Sequence, residues 1–227
     1  MSTADTSPWV LEADGIQLSF GARPLLTDIY LRVQTGQIVA LLGRNGCGKS
    51  TLLQTIFGAR TVPDASVRVN GRRVVPAYPV PGLMSYLPQV PLLPGHLPAI
   101  TAAGLLGVDV EEALADFPEL REQVRSGQRL NELSGGTLRL LQVLLLVARS
   151  SRFLLLDEPF SGIMPLHVER LADLLRAAKR RTGLLITDHR YAEVLALADV
   201  VYLLRNGRLE LLRNPESDLR DRGYLAS

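Results

Sequence analysis

The sequence has one cysteine, two lysines and no long uninterrupted apolar run among its 227 residues. A single cysteine has no partner within the chain, so an internal disulfide is excluded and a reducing compartment is indicated. The most apolar stretch, 140–148, is interrupted by Gln142 and is too short to cross a bilayer. The N-terminal segment carries acidic residues and no apolar core, which does not fit a signal peptide. We therefore expect a soluble, cytoplasmic protein.

The charges are nearly balanced, with 25 Lys and Arg against 23 Asp and Glu. A net charge of +2 gives no basic surface of the kind that binds nucleic acid, so no nucleic-acid partner is expected. The two lysines are Lys49 and Lys179. A planar guanidinium is a poor replacement for a compact ammonium inside a tight loop. Lysine at position 49, in a chain that otherwise uses arginine, therefore indicates a chemical requirement.

Lys49 lies in the most informative segment, Gly43-Arg44-Asn45-Gly46-Cys47-Gly48-Lys49-Ser50-Thr51. The segment fits G-x-x-x-x-G-K-[ST], the phosphate-binding loop of nucleotide hydrolases. An apolar run at 38–42 predicts a buried strand before it, and 50–57 predicts a helix after it. The glycines let backbone N–H groups turn inward around phosphates at the positive end of that helix. Lys49 would hold the β- and γ-phosphates, and Ser50 would place its hydroxyl on Mg²⁺. Cys47, among inward-facing amides and near Lys49, is expected to have a lowered thiol pKa.

The rest of the pattern predicts an α/β fold whose core is a mainly parallel sheet, as in P-loop nucleotide hydrolases. Core strands are predicted at the apolar runs 153–156 and 184–187, and a short strand is predicted at 85–87. A buried helix is predicted at 138–148 and an amphipathic helix at 166–181.

An N-terminal antiparallel β subdomain is predicted from alternating apolar residues, with Asp14-Gly15 as a turn within 9–20. Residues 100–127 predict a small helical region with Leu105, Leu106, Val110, Leu114 and Phe117 on roughly one face. We expect one domain in which 9–89 and 150–213 form the ATP-binding core and antiparallel parts. The segment 90–149 would form the helical part, and 214–227 would be an uninformative polar tail.

Asp157 and Glu158 directly follow the apolar run at 153–156. A carboxylate at the carboxyl end of a buried strand lies where open α/β sheets bind ligands. Asp157 suits a Mg²⁺ contact, and Glu158 suits polarising a water that attacks a phosphate. On their own these residues fit an acidic turn equally well, but the phosphate loop upstream favours the functional interpretation.

Weaker candidates are found in three other places. Ser134-Gly135-Gly136 precede the buried helix and would form a second anion site, although an ordinary capped helix explains the same residues. Gln89 alone fits a surface residue. His189, just past a core strand, would reach a γ-phosphate or serve a structural role. Phe20 would stack on a nucleobase or belong to the core.

Taken in order, these segments resemble the nucleotide-binding subunit of ATP-binding cassette (ABC) proteins. That family's order is an adenine-stacking aromatic, phosphate loop, glutamine loop, LSGGQ signature, Asp-Glu strand end and switch histidine. The matching segments here are Phe20, 43–51, Gln89, Leu133-Ser134-Gly135-Gly136-Thr137, Asp157-Glu158 and His189. The resemblance spans residues 9–213 and is specific, because other P-loop classes lack the signature.

The resemblance implies roles for these residues. Ser134, Gly135 and Gly136 would hold the γ-phosphate of an ATP bound to the opposite subunit, so that two chains close head to tail around two ATP molecules. Gln89 would contact Mg²⁺, together with Ser50 and Asp157, and sense a partner protein. Glu158 would be the general base, His189 the γ-phosphate sensor and Lys49 the cation on the transferred phosphate.

Two positions depart from the family's pattern. Thr137 stands where the signature usually has glutamine, and little loss is expected because the serine and both glycines remain. Met164 stands where the family usually has an aspartate that joins the two sites of the dimer. This second departure puts communication between the sites in doubt, but not ATP binding.

The function that the resemblance implies is ATP hydrolysis for an ABC transporter whose membrane-spanning subunit is a separate chain, with this chain peripheral on the cytoplasmic face. The alternative is an ABC ATPase outside transport, such as an iron–sulfur cluster assembly type. The transported substrate and the direction of transport cannot be read from the sequence, because selectivity would lie in the membrane subunit.

Overall fold

A computed structural model of the chain describes residues 7–21, 23–74, 76–77 and 79–225. Within these ranges, Phe20 and Arg23 are described by their backbone alone. The ring of Phe20, predicted to stack on adenine, therefore lies outside the described part. The strands are β1 (Val10–Phe20), β2 (Arg23–Gln34), β3 (Ile38–Leu42), β4 (Ser66–Val69), β5 (Arg72–Arg73), β6 (Met84–Leu87), β7 (Phe153–Asp157), β8 (Gly183–Thr187), β9 (Val200–Arg205) and β10 (Arg208–Leu212). The helices are α1 (Lys49–Phe57), α2 (Ala99–Leu105), α3 (Val110–Ala113), α4 (Pro118–Arg125), α5 (Gly135–Ala148), α6 (Pro165–Ala178), α7 (Tyr191–Leu195) and α8 (Pro215–Asp221).

The strands form two sheets. The central sheet has the order β10-β9-β3-β8-β7-β6, and all its strands are parallel except β10. The N-terminal sheet, β2-β1-β4-β5, is antiparallel. The predicted fold class, an α/β core with a mainly parallel sheet and an antiparallel N-terminal part, is confirmed.

The central sheet is buried on both faces, which explains why its strands are continuous apolar runs. Alternate residues of β3 belong to different cores: Ile38 and Ala40 pack with the helices α2 to α6, whereas Val39 and Leu41 pack with the N-terminal sheet and α1. The antiparallel sheet and the helical region thus sandwich the central sheet.

The predicted turn at Asp14-Gly15 is wrong. Strand β1 continues through both residues, and its pairing with β2 shifts register between Ala13 and Ile16. Gly15 has a φ of +63°, which glycine adopts without steric cost, so the extra residue is accommodated as a bulge. Pairing with two neighbouring strands keeps the chain extended where the local dipeptide favours a turn.

The predicted helical region at 100–127 consists of three short helices, α2 to α4, rather than one amphipathic face. Val110, Leu114 and Phe117 are buried as expected, but Leu105 is 65% exposed at the end of α2. The segment from 214 also differs from the predicted polar tail. It contains α8, whose Leu219 is completely buried in the core.

Candidate functional site

Four loops that carry candidate site residues leave the central sheet at one edge. Strands β3, β8, β7 and β6 are neighbours and parallel, so their carboxyl ends lie on the same side. The phosphate loop follows β3, Gln89 follows β6, Asp157 ends β7 and His189 follows β8. This edge is where open α/β sheets bind ligands. The topology therefore brings residues together that are far apart in the sequence.

A cavity of about 610 Å³ opens at this edge, a volume typical of small-molecule sites. Its lining residues are Leu25, Asn45, Gly46, Gly48, Lys49, Ser50, Thr51, Gln89 and Glu158. The side chains of Arg44 and Cys47 line a separate, smaller cavity with residues of the C-terminal segment. Most of the predicted phosphate loop therefore faces the main cavity, but these two side chains do not.

Lys49 is held inside its own loop. Its side chain is only 8% exposed, and Nζ donates hydrogen bonds to the carbonyl oxygens of Gly43 at 2.7 Å and Arg44 at 3.2 Å. The hydroxyl of Tyr191 donates to the same Gly43 carbonyl at 3.1 Å. The ammonium thus lies at the start of α1, beside the amides that begin this helix, ready to pair with an anion.

The structure corrects the expectation for Cys47. Its thiol is half-buried, and burial raises its pKa, while Lys49 and backbone hydrogen bonds lower it by less. The sulfur lies so close to Gly43 that a Cβ there would come within 2.7 Å of Sγ. The prediction of a lowered thiol pKa is therefore wrong, because burial raises the pKa by more than Lys49 and the backbone hydrogen bonds lower it.

Asp157 is completely buried at the end of β7. Burial raises its pKa, the Ser50 side chain opposes that shift, and neighbouring Glu158 adds to it. The Tyr86 hydroxyl donates to Oδ2 at 3.4 Å; burial also raises the pKa of this phenol, so it keeps its proton. Oδ1 has no hydrogen-bond partner among the described residues. A buried, unpartnered carboxylate oxygen beside a serine hydroxyl fits the oxygen ligands that Mg²⁺ prefers.

Glu158 is the point where three loops meet. Its backbone has a φ of +58°, a conformation that costs a residue with a side chain about 1–3 kcal/mol. Its amide donates to the Thr187 carbonyl at 2.6 Å. Gln89 Nε2 donates to Oε1 at 3.1 Å, and His189 Nδ1 lies 4.0 Å from Oε2. The structure thus brings Gln89 and His189 to the Glu158 carboxylate, and Gln89 and Glu158 both line the cavity.

The signature segment, residues 133–137, lies outside the cavity formed by the phosphate loop. Ser134 caps α5 by accepting a hydrogen bond from the Thr137 amide at 3.2 Å, and the two hydroxyls lie 2.7 Å apart. Its residues line a different cavity of about 260 Å³, together with Met164 and other residues before and within α6. A Cβ on Gly136 would overlap the Gly162 carbonyl, whereas Gly135 has open space. The fold does not bring the signature to the phosphate loop of the same chain.

Two residues with clear structural roles were not predicted from the sequence. Arg139 on α5 is only 7% exposed, and its guanidinium donates to the carbonyls of Pro88, Asp157 and Glu158. A single charged residue inside the apolar run 138–148 was the available signal, because a buried charge needs partners. Tyr191, which bonds to the phosphate loop, gave no signal at all.

Within the described ranges, no helix has both the length and the apolar character needed to span a bilayer.

Comparison with known proteins identifies the family. Residues 26–161 match the family described as ABC transporter. A probable ABC transporter ATP-binding protein of Azorhizobium caulinodans is 32% identical, covering 93% of this chain and 80% of that protein. The lipopolysaccharide export system ATP-binding protein LptB of Acidithiobacillus ferridurans is 31% identical over 93% of both chains.

A solved structure, described as the ATP-binding subunit of an ABC transporter, has the same fold. Its TM-score is 0.76 at 24% identity, with 96% of this chain and 95% of that chain covered. The family match covers more than half of the chain, and the relatives are similar along nearly all of it. The chain therefore belongs to the ABC transporter family, as one of the ATP-hydrolysing subunits that power transport.

Proposed function

We propose that this chain binds Mg-ATP on its phosphate loop, hydrolyses it with Glu158 as the base, and drives a separate membrane-spanning subunit. The observation that carries the proposal is that Lys49, Gln89 and Glu158 line one cavity, with Asp157 directly before Glu158 and His189 Nδ1 4.0 Å from the Glu158 carboxylate. Each group has a chemical task there, and the residues come from four different loops.

The phosphates would lie against Lys49 and the amides at the start of α1. The ammonium now bonded to loop carbonyls would turn to the β- and γ-phosphates, exchanging neutral acceptors for charged ones. Ser50 and the free Oδ1 of Asp157 would hold Mg²⁺, with Gln89 as a third contact. When bound, the ion polarises the phosphoryl oxygens as a Lewis acid.

Glu158 would orient and deprotonate the water that attacks the γ-phosphate. Its carboxylate lines the cavity and is held by Gln89 on one side, with the His189 imidazole on the other. His189 is 55% exposed, which suits a residue that contacts the γ-phosphate only once nucleotide is bound. Catalytic hydrogen bonds that are long without substrate commonly tighten in the complex.

A second copy of the chain would complete the site. Ser134 and Gly136 line another cavity, so the signature segment cannot serve the phosphate loop of its own chain. Two chains placed head to tail would bring each signature onto the other chain's ATP. Met164 is 58% exposed beside the signature cavity. It would lie at this dimer interface, where the family's aspartate is missing.

The membrane subunit would dock beside the glutamine loop. Val90, directly after Gln89, is 66% exposed, and Ile100 and Leu105 on α2 are 45% and 65% exposed. Exposed apolar side chains directly after Gln89 and on the helix that follows are candidates for a partner interface. The transporter interpretation is favoured over a cluster-assembly ATPase, because the relatives compared above bear transporter names.

Sedimentation of the Glu158→Gln variant tests the dimer. With Mg-ATP it should sediment as two chains, because ATP is bound but not consumed; with ADP or EDTA it should sediment as one. The matched control is Glu158→Gln combined with Ser134→Arg, which should stay monomeric while binding ATP. A monomer under all conditions would contradict the head-to-tail arrangement.

Stimulation tests the partner. The isolated chain should hydrolyse ATP slowly and faster with its membrane subunit. Leu105→Glu should abolish the stimulation and leave ATP affinity intact. Leu211→Glu, on β10 and 55% exposed against 65% for Leu105, should change neither. Recovery of the protein from cells only in soluble complexes would favour the cluster-assembly alternative.

A further inference from the structure

Arg139 connects three parts of the nucleotide site through main-chain carbonyls. Nη1 donates to Pro88 at 2.5 Å, Nε donates to Glu158 at 3.1 Å, and Nη2 donates to Asp157. Pro88 immediately precedes Gln89, and Arg139 itself lies one helical turn after the signature glycines. One rigid, planar group therefore spans the glutamine loop, the strand end and the signature helix.

The contacts fix positions that matter for the chemistry. The Gln89 side-chain amide donates to the Glu158 carboxylate at 3.1 Å. Arg139 bonds to the backbone on both sides of this contact, at Pro88, which precedes Gln89, and at Glu158 itself. Glu158 also has the unfavourable φ of +58°. Such a conformation persists only where surrounding contacts determine it, and the Arg139 bond to the Glu158 carbonyl is one of those contacts.

The charge of Arg139 is balanced by the same site. Its surroundings include the carboxylates of Asp157, Asp188 and Glu158, whose attraction opposes the lowering of its pKa by burial. A guanidinium buried to this extent is retained only with hydrogen bonds and opposite charge nearby. If this position of α5 served only to pack the core, an apolar side chain would do so without the cost of burying a charge.

We propose that Arg139 is a positioning residue for ATP hydrolysis, one that sets the Glu158 loop against the glutamine loop and links both to the signature helix. It touches neither the nucleotide cavity nor its phosphate loop. Its effect should therefore appear in turnover and not in ATP binding. The proposal rests on the role proposed above for Glu158.

The test compares Arg139→Met and Arg139→Lys with Gln142→Met. Gln142 lies three residues further along α5, is only 4% exposed, and its Nε2 has no partner among the described residues. Its replacement is therefore a control for changing a buried polar side chain on this helix. The measurements are kcat and KM for ATP, the Kd of a fluorescent ATP analogue, and the unfolding temperature.

Arg139→Met should lower kcat about 100-fold, the loss expected when a catalytic group moves by about 1 Å, with Kd unchanged. Arg139→Lys should be intermediate, because an ammonium cannot reach three carbonyls in a fixed fork. Gln142→Met should retain full kcat. In single-turnover measurements on Glu158→Gln, adding Arg139→Met should cause almost no further loss, because the group that it positions is already gone.

Three results would overturn the proposal: full kcat in folded Arg139→Met, equal losses of kcat and ATP affinity, or the same fold-loss with and without Glu158. If Arg139→Met does not fold, Arg139→Lys, which keeps the charge, decides by the same criteria. Wild-type turnover in Glu158→Gln alone would instead overturn the proposed function, so the two failures are distinguishable.

Discussion

Two adjacent signature glycines should respond oppositely to alanine. A Cβ on Gly136 would overlap the Gly162 carbonyl and lie 3.3 Å from the Ile163 amide, whereas a Cβ on Gly135 has nothing within 4 Å. Both residues are in the first turn of α5 and neither has a positive φ. The two positions differ in the room that each leaves for an added Cβ atom, which makes the two alanine variants a matched pair.

The magnitudes follow from this difference. Gly135→Ala should stabilise the chain by up to about 1 kcal/mol, since alanine loses less conformational entropy than glycine in a helix. Gly136→Ala should destabilise it by about 1–3 kcal/mol, the usual cost of overpacking, because α5 must move away from the loop before α6. For a chain of this size each kcal/mol corresponds to about 2–4 °C in unfolding temperature.

The assay is equilibrium unfolding in urea, checked by thermal unfolding, without nucleotide so that ligand binding does not contribute. Activity is not informative here, because both glycines are proposed to contact ATP across the dimer. Equal shifts for the two variants, or a Gly136→Ala variant as stable as wild type, would refute the close contact between the signature and the loop before α6.

Three further predictions concern residues outside the main cavity. Alkylation of Cys47 by maleimide should be slow at pH 7 and should accelerate only at a higher pH than alkylation of an exposed cysteine, because burial raises the thiol pKa above its ordinary value. Fast, pH-independent modification would contradict this. Leu219→Ala should lower the free energy of unfolding by about 2–5 kcal/mol, because the residue is completely buried; a change below about 0.5 kcal/mol, typical of surface sites, would mean that α8 is not docked. Tyr191→Phe should weaken ATP binding by about 5-fold, the value of one neutral hydrogen bond of about 1 kcal/mol. The control, Tyr30→Phe, loses an exposed hydrogen bond to Glu12 and should leave ATP binding unchanged. Equal ATP affinities in the two variants would show that Tyr191 does not support the phosphate loop.

The parts of the fold that could be predicted are those with a local signal. The apolar runs of β3, β7 and β8 are bounded by breakers, and parallel strands that follow such runs place their carboxyl ends at one edge. The meeting of the phosphate loop, Asp157-Glu158 and His189 could therefore be expected before any coordinates. Gly58, which ends α1 with a φ of +90°, is equally local.

The parts that could not be predicted depend on distant partners. Asp14-Gly15 has the composition of a turn, and only pairing with β2 and β4 keeps it in a strand. Helix α8 has few apolar residues, and its docking depends on where Leu219 meets the core. Arg139 bonds to main-chain carbonyls, which carry no residue identity, so no sequence pattern reveals its partners. Cys47 lies in the motif, yet burial of its thiol reverses its expected pKa shift.

The central claim is that the convergence at Glu158 serves ATP hydrolysis, and the most direct measurement is turnover against binding in one variant. Glu158→Gln keeps the shape of the side chain and removes the basic carboxylate. Its kcat should fall by about 10²–10⁴-fold, the usual contribution of a general base, while the Kd for Mg-ATP stays close to that of wild type because Lys49 and the phosphate loop are untouched. Wild-type turnover in Glu158→Gln, with ATP bound normally, would contradict the account.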